Sequence, residues 1–409
     1  MHCLLIHQAF AGTGDPGGTR HYELARCLAG DGHRFTVVTS KLSYLTGRLR
    51  KTERNLGPKG RVDSVRVVRT WTLNALHRSF VWRVAAFLSF MMSSVVASLR
   101  VRDVDLVIGT SPPIFQAAAA WFVSALKRVP FILEVRDLWP DFAIDMGVLT
   151  NPVLIRFSRW LEGFLYSHAT RIIVNSPAYE KYLLERGVPQ AKVTVVPNGV
   201  DPSMFDPEED GREYRRELAC GPEVFIATYA GALGMANDIP TILRAAKALE
   251  ERADIKFVLV GDGKERFNLE DLAAEMDLNN VVFPGPVVKS RMPEVLAASN
   301  ACVATLMNIP MFKTTYPNKV FDYMAAARPT VLGIDGVIRE VIESAGGGIF
   351  VLPGDSEALA GAVMRLADDR ETAREMGQRA RAYVEQHFDR RRQSALFASV
   401  LERAVGAAG

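Results

Sequence analysis

The stretch TTYPNKVFDYMAAARPTVLG, Thr314 to Gly333, reads as a helix that runs straight into a strand. The helix opens with Tyr-Pro-Asn-Lys and carries an acid, Asp322, about one turn in, so a lysine, a carboxylate and the N–H groups of a helix start share one short segment. Outward from it the alternation repeats. In the first half, apolar or β-branched runs predict strands at 3–7, 34–39, 65–68, 106–109, 131–135, 171–175 and 193–196; in the second half they fall at 225–230, 256–260, 281–283, 301–305, 330–332 and 349–352. Strands alternating with helical segments imply parallel sheets covered by helices, so the fold class is α/β with two such domains. Residues 1–197 would form the first and 223–389 the second. Between them 198–222, rich in Pro, Asp and Glu, reads as a linker. The last helix, 390–409, is free to pack back on the first domain, though nothing in its own pattern demands it.

A chain of 409 residues with 48% hydrophobic and 23% charged residues is long enough for two or three cores and has the balance of a soluble globular protein. Cys3, Cys27, Cys220 and Cys302 form no CxxC pair, so neither a zinc site nor a disulfide framework is expected. MHCLLIHQAF lacks a basic segment ahead of its apolar run and reads as a first strand rather than a signal peptide. A cytoplasmic protein is expected. The net charge of +3 hides an asymmetry: residues 47–100 carry eleven basic and two acidic residues, +9, against −6 elsewhere. Such a stretch suits an anionic membrane surface or a phosphorylated substrate; its plain alternative is a solvated basic loop. No nucleic-acid partner is expected. Val84 to Leu99, sixteen uncharged residues, is shorter than the ~20 needed to span a bilayer and predicts a core helix, with Phe80, Val81 and Trp82 as an interfacial lip in the sharper reading.

In open α/β sheets ligands gather beyond the carboxyl ends of the strands, so motifs there carry the chemistry. The first strand leads into AGTGDPGG, where Gly17 and Gly18 stand before a helix and would let a phosphate approach. Neither GxGxxG nor GxxxxGK[ST] is present, which removes support for dinucleotide redox chemistry and NTP hydrolysis. FILEVRDLWPD places Arg136 and Asp137 directly after a buried strand, where a carboxylate orients a hydroxyl or takes its proton. The DVD at 103–105 precedes an apolar strand and reads as a turn rather than a metal motif. In the second half, YAGALGMANDIP, FVLVGDGKER and VVFPGPVVKS each end a strand in a glycine or polar loop. Together they suggest a nucleotide site without metal or flavin.

GGTRHYELA, EVRDLWPD, VVPNGVD, VGDGKER and PNKVFDYMAAARP, in this order and spacing, resemble the retaining glycosyltransferases of family 4 from the first strand to about Asp369. The chain looks most like the bacterial branch that includes the N-acetylfucosamine transferase of O-antigen synthesis. The resemblance implies a GT-B architecture, two Rossmann-like domains with the acceptor held by the first and a sugar nucleotide by the second, and metal-independent transfer with retention. It assigns donor contacts to Gly17, Gly18, Gly231, Leu233, Gly234, Asn237, Gly261, Asp262, Val287, Tyr316, Asn318, Lys319 and Asp322, and catalytic work to Arg136, Asp137 and Lys319. Arg48, Arg50, Lys51, Phe80 and Trp82 would face acceptor and membrane.

The departures from the family pattern are informative. Its E-x7-E pair falls at Thr314 and Asp322, its phosphate-binding arginine and lysine at Ala232 and Asn237, its AAG turn at Ala325 to Ala327, and its catalytic histidine is replaced by Arg136-Asp137. With positions 232 and 237 neutral, Lys319 is the remaining cation for a diphosphate, supported by the helix start near Asn318 and the amides of Gly231, Leu233 and Gly234. Asp322 would take the ribose hydroxyls; the plainer alternative is an i, i+3 ion pair between Lys319 and Asp322. The expected reaction is front-face transfer from a UDP-sugar to a polyprenyl-diphosphate-linked glycan by a protein peripheral to the inner membrane face. A soluble small-molecule acceptor, a GT-B sugar-nucleotide epimerase and an inactive binding paralogue are the competing readings.

Overall fold

The computed structural model describes residues 1–12, 18–42, 61–62, 65–75 and 80–407. The chain divides into two compact units. The first comprises the described residues of Met1–Gly12, Thr19–Pro197 and Arg391–Gly409; the second comprises Asn198–Arg390.

In the first unit the strands are β1 (His2–Ile6), β2 (Arg34–Ser40), β3 (Arg61–Val62), β4 (Val65–Thr70), β5 (Leu106–Ser111), β6 (Phe131–Val135), β7 (Arg171–Val174) and β8 (Val193–Val195). They form one sheet in the order β3-β4-β2-β1-β5-β6-β7-β8, parallel except for the two-residue edge strand β3. That edge strand escapes sequence reading because two residues carry no periodicity. All residues of β1, β5 and β6 are buried, as expected of central parallel strands covered on both faces. Helices α1 (Arg20–Gly30), α2 (Phe80–Leu99), α3 (Ile114–Lys127), α4 (Asp141–Asp145) and α5 (Pro152–His168) follow β1, β4, β5 and β6. The C-terminal helix Arg390–Gly406 belongs to this unit: Phe397, Val400, Leu401 and Ala404 share one core with Cys3, Leu5, Leu24 and Val37.

The second sheet contains β9 (Phe225–Ala230), β10 (Ile255–Val260), β11 (Val281–Gly285), β12 (Ala301–Thr305), β13 (Thr330–Gly333) and β14 (Gly348–Phe350), in the order β11-β10-β9-β12-β13-β14 and parallel throughout.

The sequence reading is corrected at two places. Residues 198–222 are not a free linker: Val200, Phe205, Tyr214 and Cys220 enter the core of the second unit, and Arg215 donates to the Gly221 and Val224 carbonyls and to Asn300 Oδ1. Anchor residues spaced irregularly give no periodic signal, which is why the segment reads as linker. The helix α2 is longer than the uncharged run because it continues through Arg83 to Phe80. By length and composition alone Val81–Leu99 could cross a membrane; in the fold it packs one stripe, Ala86, Phe90, Ser94 and Ser98, inward.

Candidate functional site

In the second unit the site is built from three loops at the carboxyl ends of β9, β10 and β11 and the helix Asn318–Ala325. The loops are laced backbone to backbone: the Gly231 N–H donates to Val260 O at 2.9 Å, Leu233 N–H to Asp262 O at 3.0 Å and Gly261 N–H to Gly285 O at 3.0 Å. Glycine is required for this approach, since a Cβ on Gly261, at φ +151°, would lie 1.8 Å from the Gly231 carbonyl oxygen. The lacing also overturns an expectation. The amides of Gly231 and Leu233 are spent on neighbouring carbonyls and are not phosphate donors; Gly234 is not among those so paired.

The helix Asn318–Ala325 buries Val320, Phe321, Tyr323 and Met324. One turn beyond Lys319, the Tyr323 hydroxyl accepts the Ala230 N–H at 2.8 Å and donates to the Ala230 carbonyl at 3.2 Å, which ties the helix to the end of β9. Lys319 is thereby carried to the same strand end. Its Nζ donates to the Tyr229 hydroxyl at 2.7 Å and to Asn237 Oδ1 at 2.9 Å, and lies 4.0 Å from the centre of the Tyr229 ring. The Tyr229 hydroxyl in turn donates to the Ala232 carbonyl. Both acceptors of the ammonium are neutral, and burial pushes the Lys319 pKa down to about 7. Beside it the Asn318 Oδ1 is buried with no hydrogen-bond partner among the described residues.

Asp322 does not pair with Lys319. Lys289, which follows β11, donates to Asp322 Oδ2 at 2.6 Å in a largely buried ion pair. This pairing was missed because the partners lie 33 positions apart and no spacing rule connects them. Thr314, the position at which the family pattern led to the expectation of a glutamate, donates its hydroxyl to the Met311 carbonyl at 2.5 Å. Asp262 caps its own turn by accepting the Gly263 N–H at 2.9 Å, Val287 packs against the core, and the Tyr316 ring stands edge-on to Phe321 and Phe388. Tyr316 is therefore a packing residue in this structure.

In the first unit Arg136 and Asp137 follow β6 directly, as the sequence requires. A buried network lies behind them that sequence reasoning did not find. Glu134 accepts from Arg20 Nε at 2.9 Å and from His21 Nε2, while Arg20 also donates to the Val196 and Pro197 carbonyls at the end of β8. Burial penalises a charge on Glu134, but His21 and the Arg20 guanidinium outweigh that and hold its carboxyl well below the ordinary range. Burial, against the opposing pull of Glu134, lowers the His21 pKa, and the ring shares a hydrogen bond with the Glu134 carboxylate through Nε2. The His21 ring lies 4.3 Å from that of His7, whose Nε2 faces Arg136 NH1 at 3.4 Å.

Asp137 is pushed up to about 6 by burial, against the opposing pull of Arg136 and a Tyr179 hydrogen bond. Several polar atoms at these strand ends have no protein partner among the described residues: Arg136 Nε, Trp139 Nε1 and the side-chain amide of Gln8. Buried groups left unpaired are expensive, so these strand ends are the candidate place in the first unit for a polar ligand. The DVD motif is a turn, with Asp103 at φ 53° and Asp105 accepting the His2 N–H. Of the remaining expected residues, Gly17, Arg48, Arg50, Lys51 and the Phe80 side chain lie outside the described residues; Gly18 precedes the N-cap of α1, and Trp82 is exposed on α2.

The family descriptions agree with this division. "Glycosyl transferase 4-like domain" matches residues 17–199 and "Glycosyl transferases group 1" matches 210–383. The first half of the chain thus carries a glycosyl transferase 4-like domain and the second a glycosyl transferases group 1 domain. Among curated relatives it is 27% identical over 208 residues to an uncharacterized glycosyltransferase, MJ1607, of Methanocaldococcus jannaschii, covering 50% of this chain and 52% of that protein. It is 24% identical to the alpha-galactosylglucosyldiacylglycerol synthase of Streptococcus pneumoniae, covering 59% and 65%. The chain thus spans between about half and two thirds of the length of these relatives. Among solved structures it superposes on Anabaena Alr3699/HepE in complex with UDP and glucose at a TM-score of 0.75, with 18% identity over 98% of this chain and 99% of that one. Sucrose-phosphate synthase from Thermosynechococcus elongatus gives 0.76 and 21% over the full length of both.

Proposed function

We propose that the protein transfers a sugar, N-acetylated in this reading, from a UDP-sugar to a polyprenyl-diphosphate-linked glycan, with retention and without a metal. It would act at the inner face of the cell membrane in cell-surface polysaccharide synthesis, as in the branch with the O-antigen N-acetylfucosamine transferase. The observation that carries the donor half is Lys319, a cation held by two neutral oxygens with no carboxylate in ion-pairing range among the described residues. The Alr3699/HepE complex, whose ligands are UDP and glucose, supports the nucleotide by analogy. For the acceptor, the support is the synthase of a diacylglycerol glycolipid among the relatives and the basic stretch of the sequence.

In this reading the leaving diphosphate gains negative charge as the glycosidic bond breaks, and Lys319 neutralises it with help from the helix start and the Gly234 amide. A donor phosphate oxygen takes the proton of the attacking hydroxyl on the same face, while Arg136 organises charge and Asp137 orients the acceptor. Asp322, its charge balanced by Lys289, receives the ribose hydroxyls. A thermal-shift panel of UDP-, GDP- and dTDP-sugars tests the donor, because a ligand bound only by the native state raises its stability with concentration. Stabilisation by UDP-sugars is expected; stabilisation by GDP-sugars alone would overturn the assignment.

A further inference from the structure

The helices of the first unit hide less than their composition leads one to expect. On α2 the stripe Leu88, Met92, Val96 and Leu99 is exposed, at i, i+4, i+8 and i+11, opposite the buried stripe. On α3 Phe122 and Leu126 are exposed. The first half of α5 is the extreme case: from Pro152 to Trp160 no residue is buried, and Val153, Phe157 and Trp160 are 73%, 49% and 59% exposed. An amphipathic stripe in the sequence of α5 would ordinarily be counted as core.

These surfaces are continuous. α2 packs on α3 and α3 on α5. A file of aromatic rings runs between them: Phe87 of α2 lies 6.4 Å from Phe115 of α3, Trp121 of α3 lies 4.7 Å from Phe164 of α5, and Phe164 continues to Trp160 at 5.7 Å and Phe157 a further 5.7 Å on. A contiguous apolar face across three helices exceeds what single exposed residues on a soluble protein require.

The charges on and beside the face identify its occupant. None of the three helices carries an exposed carboxylate, since the single acid, Glu162, is buried against Tyr166. Exposed arginines stand on or at the ends of the helices instead: Arg100, Arg128 and Arg156. Apolar and tryptophan side chains with exposed arginines and no exposed acid on the helices themselves are the composition that seats a protein in the headgroup layer of an anionic bilayer.

We propose that the α2–α3–α5 face is the membrane seat of this protein, with α5 as its principal inserting element. The proposal rests on the lipid-linked acceptor reading for its purpose, but binding is measurable without any transfer. It also moves the membrane contact away from the basic stretch alone, extending it from the Val81–Trp82 corner across to α5.

The test is co-sedimentation with vesicles of phosphatidylcholine, with and without phosphatidylglycerol. Phe157→Glu/Trp160→Glu and, separately, Met92→Glu/Val96→Glu are expected to lower the partition coefficient on anionic vesicles at least about tenfold, with thermal midpoint and UDP-sugar binding unchanged. Quenching of tryptophan fluorescence by brominated lipid, reduced in Trp160→Phe by the share of that residue, is expected alongside. Unchanged partitioning in both double variants would overturn the proposal, as would binding abolished only by neutralising Arg48, Arg50 and Lys51. A wild-type dimer that ignores vesicles and is dispersed by Trp160→Glu would overturn it too, by showing that a second copy covers the face. UDP release with a soluble acceptor analogue separates the two readings: if it persists while vesicle binding fails, only the seat is lost.

Discussion

The two sheet edges treat buried charge in opposite ways. Behind β6, Arg20, Glu134 and His21 form a buried set in which the guanidinium and carboxylate balance each other and the histidine hydrogen-bonds the carboxylate. At the end of β9, the Lys319 ammonium has, among the described residues, only a phenol and an amide for company. A compensated cluster holds structure together, and here it fastens α1, β6 and the end of β8 to one another. An uncompensated cation costs folding free energy in the absence of an anion and recovers it when one binds. The first is therefore read as scaffold and the second as site.

The largest expected effect tests the scaffold. Glu134→Ala leaves Arg20 buried without its counter-charge and should destabilise the protein by about 3–5 kcal/mol. Chemical denaturation would measure it; a loss below about 1 kcal/mol would mean that the network is not a compensated core. Next comes the site itself. Lys319→Ala should lower transfer by about two to three orders of magnitude, the usual scale for removing one donor to developing charge. Near-normal turnover would break the contrast.

The pH dependence follows from the same lysine. In the folded protein its pKa is depressed to about 7, well below its ordinary value near 10.4, so between these values the unfolded chain binds more protons than the native one. Without nucleotide, this residue's contribution makes stability rise with pH across that window, and Lys319→Met should flatten the rise. Binding a diphosphate favours the charged form. The affinity for a UDP-sugar, whose diphosphate does not titrate in this range, should therefore fall as pH rises above about 7, with proton uptake visible as a buffer-dependent binding enthalpy. Asp137 adds an acid limb: with a pKa of about 6, loss of turnover below that value is expected if its carboxylate orients the acceptor.

The smallest effect lies in the turn that follows the helix Asn318–Ala325. Ala327 sits at φ 53°, a left-handed conformation that costs a side chain about 1–2 kcal/mol, so Ala327→Gly should stabilise by up to about 1 kcal/mol once glycine's own entropy is deducted. A lower thermal midpoint in that variant would contradict this reading of the turn.

Much of this was legible in the sequence, and the limits have physical causes. Strand positions were readable because central parallel strands are continuous apolar runs, as in Phe131–Val135. Lys319 stood out because the neutral residues at 232 and 237 left it as the available cation, yet the sequence gives no hint that Asn237 would be its acceptor. Contacts between residues far apart leave no local trace: Arg20 reaches Glu134 across 114 positions and Lys289 reaches Asp322 across 33. The face on α5 was missed for another reason. Periodicity shows that a stripe is apolar, but only the packed fold shows whether anything covers it.

The most direct test is calorimetric titration of a UDP-sugar into the wild-type protein, Lys319→Ala and Lys319→Arg at pH 6.5 and 8.5. The wild type should bind more tightly at pH 6.5 and take up more protons on binding at pH 8.5, Lys319→Ala should bind weakly at both, and Lys319→Arg, whose charge is fixed, should lose the pH dependence. Equal affinity in wild type and Lys319→Ala at both pH values would contradict the claim that this lysine is held uncompensated for the donor diphosphate.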